Sequence, residues 1–596
     1  MKKFTMLSSV LASALMLTVA SCSSEDVAGG DAQNGKGATS YLAVNIENVG
    51  SAPASRAYDQ GNGTYEDGTD AESKINKVRF YFFNGDGTPY LLVNNDATQQ
   101  TSVNYLEQTV EKDGNDHDHT AETKTKAVLV LNGETKAIPA SVIAVINPEV
   151  LDNTTLHSGT MTLSELRTSA TGSKFYDATN GFVMSNSVYE SAGQDVCSTP
   201  VANHVFASSD AALKKPVDIY VERVNAKVNA KIDADYVRTN ETEKAWSKNA
   251  EGKYQINVGN IDVTTYAENT NATPTTKIYP VYAVVLGWQV ADADGKAELC
   301  KQISTSWYAG ELGISPWTTS DYHRCFWSKS VPITSGAQAG ANHPVNPKFE
   351  DIKLSLSDEF STTPVYTLPN TPDKVVTNPK TSVNTLTKLI VAAKLVYQDA
   401  DGSYKTAKVC QYRGLTYLGE DAVKKQIVGG FKQYLKKTTT ASGDVYNSIE
   451  ASDITFKTVP GSSEVKDYEV VATLASTVGD LYVKNGETWT IASKDDINAA
   501  LAKETAQVRS TDGATYYYTP IKHLGEAGKL GEYGIVRNHS YQVTIQNIKG
   551  FGTPVYDPKK EIDPMIPSDE NTYLAASIKV LSWRVVSSKV NLDQTK

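Results

Sequence analysis

The sequence predicts an all-β protein built from β-sandwich modules with a few short helices. Tyr, Thr and Val suit half-exposed pleated surfaces, and the chain contains 32 Tyr against 13 Phe and 7 Trp. Short alternating or fully apolar runs recur along the chain and end at turns such as Asn84-Gly85 and Asn132-Gly133. Many short strands joined by polar turns are typical of β-sandwiches.

Length and charge limit the possible classes of protein. At roughly 100–200 residues per domain, 596 residues suggest two to four globular units. Hydrophobic residues make up 40% and charged residues 21%, which argues against a disordered tail or an integral membrane protein. The net charge of -11 offers no basic face for sequence-independent nucleic-acid binding.

The first residues indicate export. Two lysines at positions 2 and 3 precede an apolar segment that ends at Ala20, and Cys22 follows. A small-residue triplet before a cysteine resembles the lipobox of bacterial lipoproteins, so residues 1–21 are predicted to be a signal peptide and Cys22 the lipidated residue. The alternative is a short buried helix with a chance cysteine. A lipid on Cys22 would anchor the precursor to a membrane without spanning it.

A single strand is predicted between two polar linkers. Residues 41–49 alternate, with Leu42, Val44 and Ile46 on one face. The flanking segments 23–40 and 51–71 are rich in small and polar residues. Within the second linker, Arg56-Ala57 offers the basic side chain in an extended, accessible backbone that a trypsin-like protease requires. We therefore predict cleavage between Arg56 and Ala57, which removes the lipid and the first strand together.

Domain boundaries follow from these segments and from one further break. Residues 22–56 are predicted to form a propeptide with the lipid tether and the removable strand. Residues 57–216 are predicted to form an N-terminal β-sandwich domain, and residues 217–596 a C-terminal one. The break lies after Leu213-Lys214-Lys215-Pro216. An amphipathic helix is expected over 421–435, interrupted by Gly429-Gly430, and a shorter one after Ser493.

No catalytic constellation is found, and we predict no enzyme activity, cofactor or metal. Residues 116–119 (Asp-His-Asp-His) are interpreted as a solvated loop, and residues 292–295 and 399–402 as hairpin turns without the spacing of a calcium loop. Trp288, Trp307, Trp317 and Trp327 lie within 40 residues of one another. Core packing is the favoured interpretation of this aromatic cluster, and stacking on sugar rings is the alternative.

The cysteines after Cys22 do not form a C-x-x-C pair. One or two disulfides are possible, and Cys300–Cys325 is the preferred pair because it closes the shortest loop. Free buried thiols are an equally open alternative. The full set is Cys197, Cys300, Cys325 and Cys410.

The C-terminal segment 577–592 has strong β character. Val586, Val590 and Leu592 share one face, and such an apolar segment needs a groove to lie in. A sandwich that loses its first strand offers that groove, so the tail of another copy could fill it by β-strand addition. Because this contact is head to tail, it propagates as a filament. The predicted donor residues are Ile578, Val580, Leu581, Trp583, Val585, Val586, Val590 and Leu592.

Several segments resemble the fimbrillins of Bacteroidales and, within them, the minor fimbrium shaft subunit family. They are the lipobox, the Arg56-Ala57 linker and residues 78–84, 182–186, 221–228, 534–541, 550–554 and 581–586. The resemblance implies a type V pilus subunit with two transthyretin-like β-sandwich domains. It also implies an outer-membrane lipoprotein precursor, cleavage by an Arg-specific protease and polymerisation by strand exchange. His539 would then be a structural residue at the start of a strand.

The predicted function is therefore a structural, non-enzymatic subunit of a cell-surface fimbrium that supports adhesion. Its predicted partners are other copies of itself, accessory pilus subunits and an Arg-specific protease. Two alternatives stay open: a fimbrial tip or accessory adhesin, and an outer-membrane glycan-binding lipoprotein. The last would expose its tryptophans in a line and leave Arg56 uncut.

Overall fold

A computed structural model describes the chain from residue 39 to residue 584, with internal gaps. The segments outside the description are 1–38, 49–65, 70, 94–101, 110–124, 135–136, 153–154, 188, 192–193, 266–274, 305–326, 333–341, 343, 378–385, 460–468, 509–511, 524, 556, 563, 565–572 and 585–596.

The first part of the chain contains fifteen strands and two helices within the described residues. Helix α1 (Leu163–Thr168) is closed by a capping box between Thr162 and Glu165, and helix α2 (Ser209–Lys214) begins after the cap Ser208. The strands are β1 (Ser40–Asn48), β2 (Glu66–Asp67), β3 (Lys77–Phe83), β4 (Tyr105–Thr109), β5 (Thr125–Leu131), β6 (Ser141–Ile146), β7 (Thr171–Gly172), β8 (Tyr176–Asp177), β9 (Gly181–Phe182), β10 (Met184–Asn186), β11 (Tyr189–Ser191), β12 (Gln194–Val196), β13 (Thr199–Pro200), β14 (Val205–Phe206) and β15 (Val217–Arg223).

The second part adds twenty-three strands and two helices, again within the described residues. Helix α3 spans Glu420–Gly429 and helix α4 spans Lys494–Leu501. The strands are β16 (Ala226–Ile232), β17 (Trp246–Lys248), β18 (Tyr254–Thr265), β19 (Thr275–Ala291), β20 (Ala293–Asp294), β21 (Ala297–Glu298), β22 (Pro344–Val345), β23 (Val365–Thr367), β24 (Lys388–Gln398), β25 (Tyr404–Thr406), β26 (Val409–Tyr412), β27 (Leu415–Leu418), β28 (Leu435–Thr440), β29 (Gly443–Ser448), β30 (Ile454–Thr458), β31 (Glu469–Leu474), β32 (Leu481–Asn485), β33 (Thr488–Ile491), β34 (Thr505–Val508), β35 (Ala514–Pro520), β36 (His539–Lys549), β37 (Thr553–Pro554) and β38 (Tyr573–Arg584).

One nine-stranded sheet forms the N-terminal region. Its main order is β14-β1-β15-β10-β6-β3-β4, with β13 on β6 and β5 on β1. Bridges from Leu92 to Val103 and to Gly133 bring the β4 and β5 ends together, so the sheet bends around its own core. Alternate residues of these strands, such as Phe80, Leu129 and Ile219, are buried in that core.

Two facing sheets form the C-terminal sandwich. One has the order β2-β38-β36-β16-β23 and the other β17-β18-β19-β24-β35-β37, with β25 on β24. Their inner faces share a single apolar core that includes Val228, Val285, Val391 and Val543. The predicted fold class, all-β with β-sandwich domains and few short helices, is confirmed.

A further compact unit interrupts the C-terminal sandwich between β25 and β35. One sheet of this unit has the order β27-β26-β34-β31-β30, and the other has the order β29-β28-β32-β33. Helices α3 and α4 pack with these strands around one apolar core that is separate from the core of the sandwich. The sequence analysis assigned this stretch to the C-terminal sandwich without a separate core. Helix α3 ends at Gly429, earlier than the expected residue 435, because two consecutive glycines are poor helix formers.

The domain boundary expected at residue 217 needs correction. Val217–Arg223 pairs with β1 and β10 in the N-terminal sheet, so β15 belongs to that sheet. The next strand, Ala226–Ile232, pairs with β36 and β23 in the C-terminal sandwich. The chain crosses between the two regions at Val224-Asn225, and Pro216 marks only the turn that precedes β15.

Candidate functional site

The strand predicted to be removable, β1, is an interior strand of the N-terminal sheet. One edge pairs antiparallel with β5, where Val44 lies opposite Ala127 and Ile46 opposite Thr125. The other edge pairs first with β14 and then, in parallel, with β15, where Val44 lies opposite Val217. β1 is therefore hydrogen-bonded on both edges, and its departure would open a slot inside the sheet.

The side chains of β1 fill space on both faces of the sheet. Leu42 and Val44 are 0% and 1% exposed and belong to the core of the bent sheet. Ala43 points to the other face, where it packs with Phe206 and Ala212 of the α2 region. The alternation predicted for Leu42 and Val44 is confirmed by this burial. Ile46 continues the ladder, opposite Ile219.

A polar contact sets β1 against its parallel neighbour. Asn45 is 4% exposed, and its Nδ2 donates a hydrogen bond of 2.7 Å to Oδ1 of Asp218. A buried amide without a partner is costly, so this bond favours the register in which Asn45 lies beside Asp218. The sequence analysis did not identify Asn45 or Asp218. The pattern that could have identified this contact is the polar Asn45 between the apolar Val44 and Ile46.

Strand β5 depends on β1. In the described part of the chain, β1 is the ladder partner of β5. Without β1, the N–H and C=O groups along one edge of Thr125–Leu131 and along the facing edge of Val217–Val221 would be left unpaired. Such a slot attracts another strand, because each unpaired edge is a template for β-pairing.

The predicted processing residues lie outside the described residues. These are the lipidation site Cys22 and the cleavage site Arg56-Ala57. The next described residues form β2, which pairs in parallel with β38 and places Glu66 opposite Trp583. β2, the first described strand after the expected cut, therefore belongs to a sheet of the C-terminal sandwich.

Half of the predicted donor segment is a strand of its own domain. Ile578, Val580 and Leu581 lie opposite Val543, Tyr541 and Ser540 of β36, and Trp583 pairs with β2. The remaining predicted donor residues lie outside the description: Val585, Val586, Val590 and Leu592.

The joint between the two regions contains buried charges. Arg223 donates through Nε and Nη2 to the backbone oxygen of Glu72, at 2.9 and 2.8 Å, and through Nη1 to Oδ1 of Asn538. Glu72 accepts from Lys227 at 3.0 Å and from the Tyr366 hydroxyl at 2.7 Å. Burial pushes the pKa of Glu72 up, but these partners outweigh it and hold its pKa below the usual value.

His539 begins β36, where the family resemblance predicted a structural residue. Its Nδ1–H donates to the backbone oxygen of Arg537 at 2.8 Å, and its ring lies 5.6 Å from that of His523. Burial is the main cause that lowers the pKa of His539 to about 4, and burial also lowers the pKa of His523. Both rings are therefore neutral near pH 7.

The predicted disulfide between Cys300 and Cys325 needs correction. Cys300 is an unbonded, buried thiol in the core that also contains Cys197, Leu299 and Ile303. Burial raises the pKa of the Cys300 thiol. Cys325 lies outside the described residues. The short sequence separation of Cys300 and Cys325 was therefore not a sufficient basis for pairing them, because Cys300 packs in a core with residues of the N-terminal region.

The other candidate residues have structural roles where they are described. Asp292 forms a buried ion pair with Lys388, and residues 399–402 make the β24–β25 turn. Trp288 and Trp327 are 0% and 2% exposed, which agrees with core packing. Trp307, Trp317 and residues 116–119 lie outside the description.

Two searches found no candidates among the described residues. His, Cys, Asp and Glu side chains do not cluster there in a way that could hold a metal ion. Helices long and apolar enough to cross a bilayer are also absent from the described segments.

Residues 510–589 match the family model "Major fimbrial subunit protein type IV, Fimbrillin, C-terminal". The match runs from β35 to β38 and includes the strand that His539 begins. Residues 510–589 are therefore similar to the C-terminal part of fimbrillins. The resemblance to fimbrillins that the sequence predicted is thereby confirmed. A search of curated proteins found no match.

Solved structures with low similarity to this chain include fimbrial proteins. A fimbrilin (FimA) from Porphyromonas gingivalis W83 has 13% identity and a TM-score of 0.34, covering 93% of this chain and 99% of its own. The tip fimbrial protein Mfa3 from Porphyromonas gingivalis has 10% identity and a TM-score of 0.29, covering 91% and 100%. A fimbrial assembly protein from Parabacteroides distasonis has 10% identity and a TM-score of 0.23, covering 76% and 98%.

Proposed function

We propose that this chain is a structural subunit of a cell-surface fimbrium that supports adhesion and assembles by strand exchange. The precursor is exported as an outer-membrane lipoprotein with lipid on Cys22, and an Arg-specific protease cuts it after Arg56. The cut releases β1, and the C-terminal tail of another copy takes its place. The shaft role is favoured over a tip or accessory adhesin because each copy has both a removable strand and an apolar tail.

The position of β1 inside the sheet carries this proposal. A strand that pairs on both edges and buries Leu42 and Val44 leaves a slot of its own shape when it departs. Each buried aliphatic side chain is worth roughly 1.5–3 kcal/mol, so an empty slot is unfavourable and a matching strand is held firmly. The glycan-binding alternative has less support, because Trp288 and Trp327 lie in the core.

Substitution at the cut site tests the proposal. Arg56→Ala should leave a lipidated monomer, and mass spectrometry should show that its mature chain begins at Cys22. The mature wild type should begin at Ala57 and form laddered polymers on a denaturing gel. Arg56→Lys should also stay uncut if the protease is Arg-specific, and Ser55→Ala is the matched control that should still be cut. Polymers from Arg56→Ala would contradict the proposal.

Two deletions separate the tail from the strand that precedes it. Removing 585–596 should abolish polymers and leave a folded monomer, because β38 stays on β36. Removing 577–596 should also destabilise the monomer, since it uncovers the edge of β36 from Thr544 to His539. Filaments that persist without residues 585–596 would place the donor elsewhere in the chain.

A further inference from the structure

The tail beyond β38 repeats the second half of β1. Residues 44–48 read Val-Asn-Ile-Glu-Asn, and residues 590–594 read Val-Asn-Leu-Asp-Gln. Two positions are identical, and the other three exchange Ile for Leu, Glu for Asp and Asn for Gln. Each exchange keeps the branched apolar, acidic or amide character of the side chain. Period-two alternation places Val590 and Leu592 on one face, as it places Val44 and Ile46.

The shared asparagine is informative because Asn45 has a defined role. It lies buried inside an apolar strand, and its amide donates to Asp218 at 2.7 Å. A donor strand with an aliphatic residue there would leave Asp218 without this donor, and one with a different polar side chain would meet different geometry. A one-residue slip would also turn every apolar side chain to the wrong face. An asparagine in the same local sequence fits the slot in one register.

Given the proposed function, we propose that residues 590–594 of one copy occupy the places of residues 44–48 in the next copy, with Asn591 donating to Asp218. Val590 then lies between Ala127 and Val217, where Val44 lies in the precursor. The donor strand runs in the same direction as β1, parallel to β15 and antiparallel to β5.

A short connection separates β38 from the proposed donor segment. β38 ends at Arg584, and residues 585–589 separate it from Val590. Five residues span up to about 17 Å when extended. In the proposed arrangement, β38 stays paired with β36 in its own sandwich while the tail enters a neighbour. This narrows the donor from 577–592 to the part of the tail that follows β38.

The first half of the slot is filled differently. In this register Ser588 and Lys589 replace Leu42 and Ala43, which lie beside β14 and the α2 region. The donor is therefore anchored at the β15 end of the slot. A competing register, shifted by two residues along β1, would place Val590 at the position of Ile46 and Lys589 at that of Asn45.

Engineered cysteines distinguish these registers. In polymers of cleaved subunits, Val590→Cys with Ala127→Cys should cross-link under oxidised glutathione, because directly opposite strand residues lie within disulfide distance. Boiling in detergent without reductant should then leave covalent ladders that collapse on reduction. Cross-linking of Val590→Cys with Thr125→Cys instead would assign the shifted register and overturn the inference, as would polymers in which neither pair cross-links. Absence of polymers from cleaved wild type would overturn the proposed function itself.

A charge exchange tests the hydrogen bond. Asn591→Asp should weaken polymers about tenfold or more, measured as the rate of subunit loss on dilution, because two carboxylates then face each other. Adding Asp218→Asn should restore the wild-type rate, since the amide and the acid have exchanged places. Thr595→Ala, outside the repeated segment, is the matched control and should behave as wild type. An Asn591→Asp polymer as stable as wild type, or one that Asp218→Asn does not rescue, would overturn the inference.

Discussion

Lys301 and Glu222 form an ion pair of 2.9 Å in which both side chains are 1% exposed. Glu222 is near the end of β15, and Lys301 lies in the segment that follows β21. The pair therefore joins β15, the strand beside β1, to a segment that comes from the C-terminal part of the chain. Arg537 lies near Glu222 as well. Burial lowers the pKa of Arg537, and the attraction between the guanidinium and the Glu222 carboxylate acts against this lowering.

Lys301→Met should destabilise the protein strongly. It leaves the Glu222 carboxylate buried without its cation, which typically costs about 3–5 kcal/mol. Urea unfolding of the purified chain measures this change. The double variant Glu222→Leu with Lys301→Met should recover only part of the loss, because the unpaired carboxylate is gone but the buried Arg537 loses its attraction to Glu222.

The control for this prediction is an exposed pair. Lys244 and Asp235 also form an ion pair, but their side chains are 62% and 84% exposed. Lys244→Met should therefore leave the free energy of unfolding close to that of wild type. Equal effects of Lys301→Met and Lys244→Met would contradict the role assigned to the buried pair.

His539 should make stability depend on pH. Its folded pKa of about 4 lies below the unfolded value of roughly 6.5, so the unfolded chain binds the proton first as the pH falls. The neutral His539 ring contributes fully to the free energy of unfolding above pH 6.5. This contribution is lost between pH 6.5 and pH 4, and the loss is about 3 kcal/mol at most. Asp294 and Glu298 act in the opposite direction, because burial raises the pKa of each to about 7.

The difference between variants isolates this effect. The free energy of unfolding of wild type minus that of His539→Gln should decrease from pH 7 to pH 4.5. The exposed His157→Gln is the control for the loss of a histidine outside the core. A pH-independent difference for His539→Gln would mean that the ring is already protonated or that it does not contribute.

Local patterns in the sequence were sufficient to predict the strands but not their partners. Alternation identified Leu42 and Val44, because burial on one face of a strand depends on a period of two residues. The strand start at His539 followed from the family resemblance instead. The boundary at residue 217 was wrong because β15 pairs with β1, which lies more than 160 residues earlier. A proline before a strand marks a turn but does not reveal the sheet to which the strand belongs.

The buried polar network could not be predicted for a related reason. Arg223 contacts Glu72 across 151 positions and Asn538 across 315. These residues occur in short motifs of the family resemblance or in ordinary loops, and no local spacing links them. The predicted Cys300–Cys325 disulfide was wrong for a similar reason. The prediction used the distance between the two cysteines in the sequence, whereas the packing of Cys300 in the core determines whether it can pair.

Gly552→Ala should destabilise the C-terminal sandwich. Gly552 has φ of 70°, which disfavours an L side chain, and an added Cβ would overlap the hydroxyl of Thr515 and lie 2.8 Å from the backbone oxygen of Tyr516. Backbone strain of about 1–2 kcal/mol and overlap of about 1–3 kcal/mol should add. Gly402→Ala is the matched control, because φ is 82° there but the space is open. It should show the strain alone in thermal unfolding.

Leu42→Ala should destabilise the uncut precursor and have no effect on the cleaved subunit. Leu42 is fully buried in the core of the bent sheet, so its truncation should cost about 2–5 kcal/mol while β1 is in place. After the proposed cut at Arg56, residue 42 would no longer be part of the subunit, and both proteins would become identical in sequence. Leu213→Ala, at an exposed leucine, is the control and should be neutral in both forms. A cleaved Leu42→Ala subunit that still unfolds more easily than wild type would mean that β1 stays bound after cleavage, and the slot would then be closed to a donor.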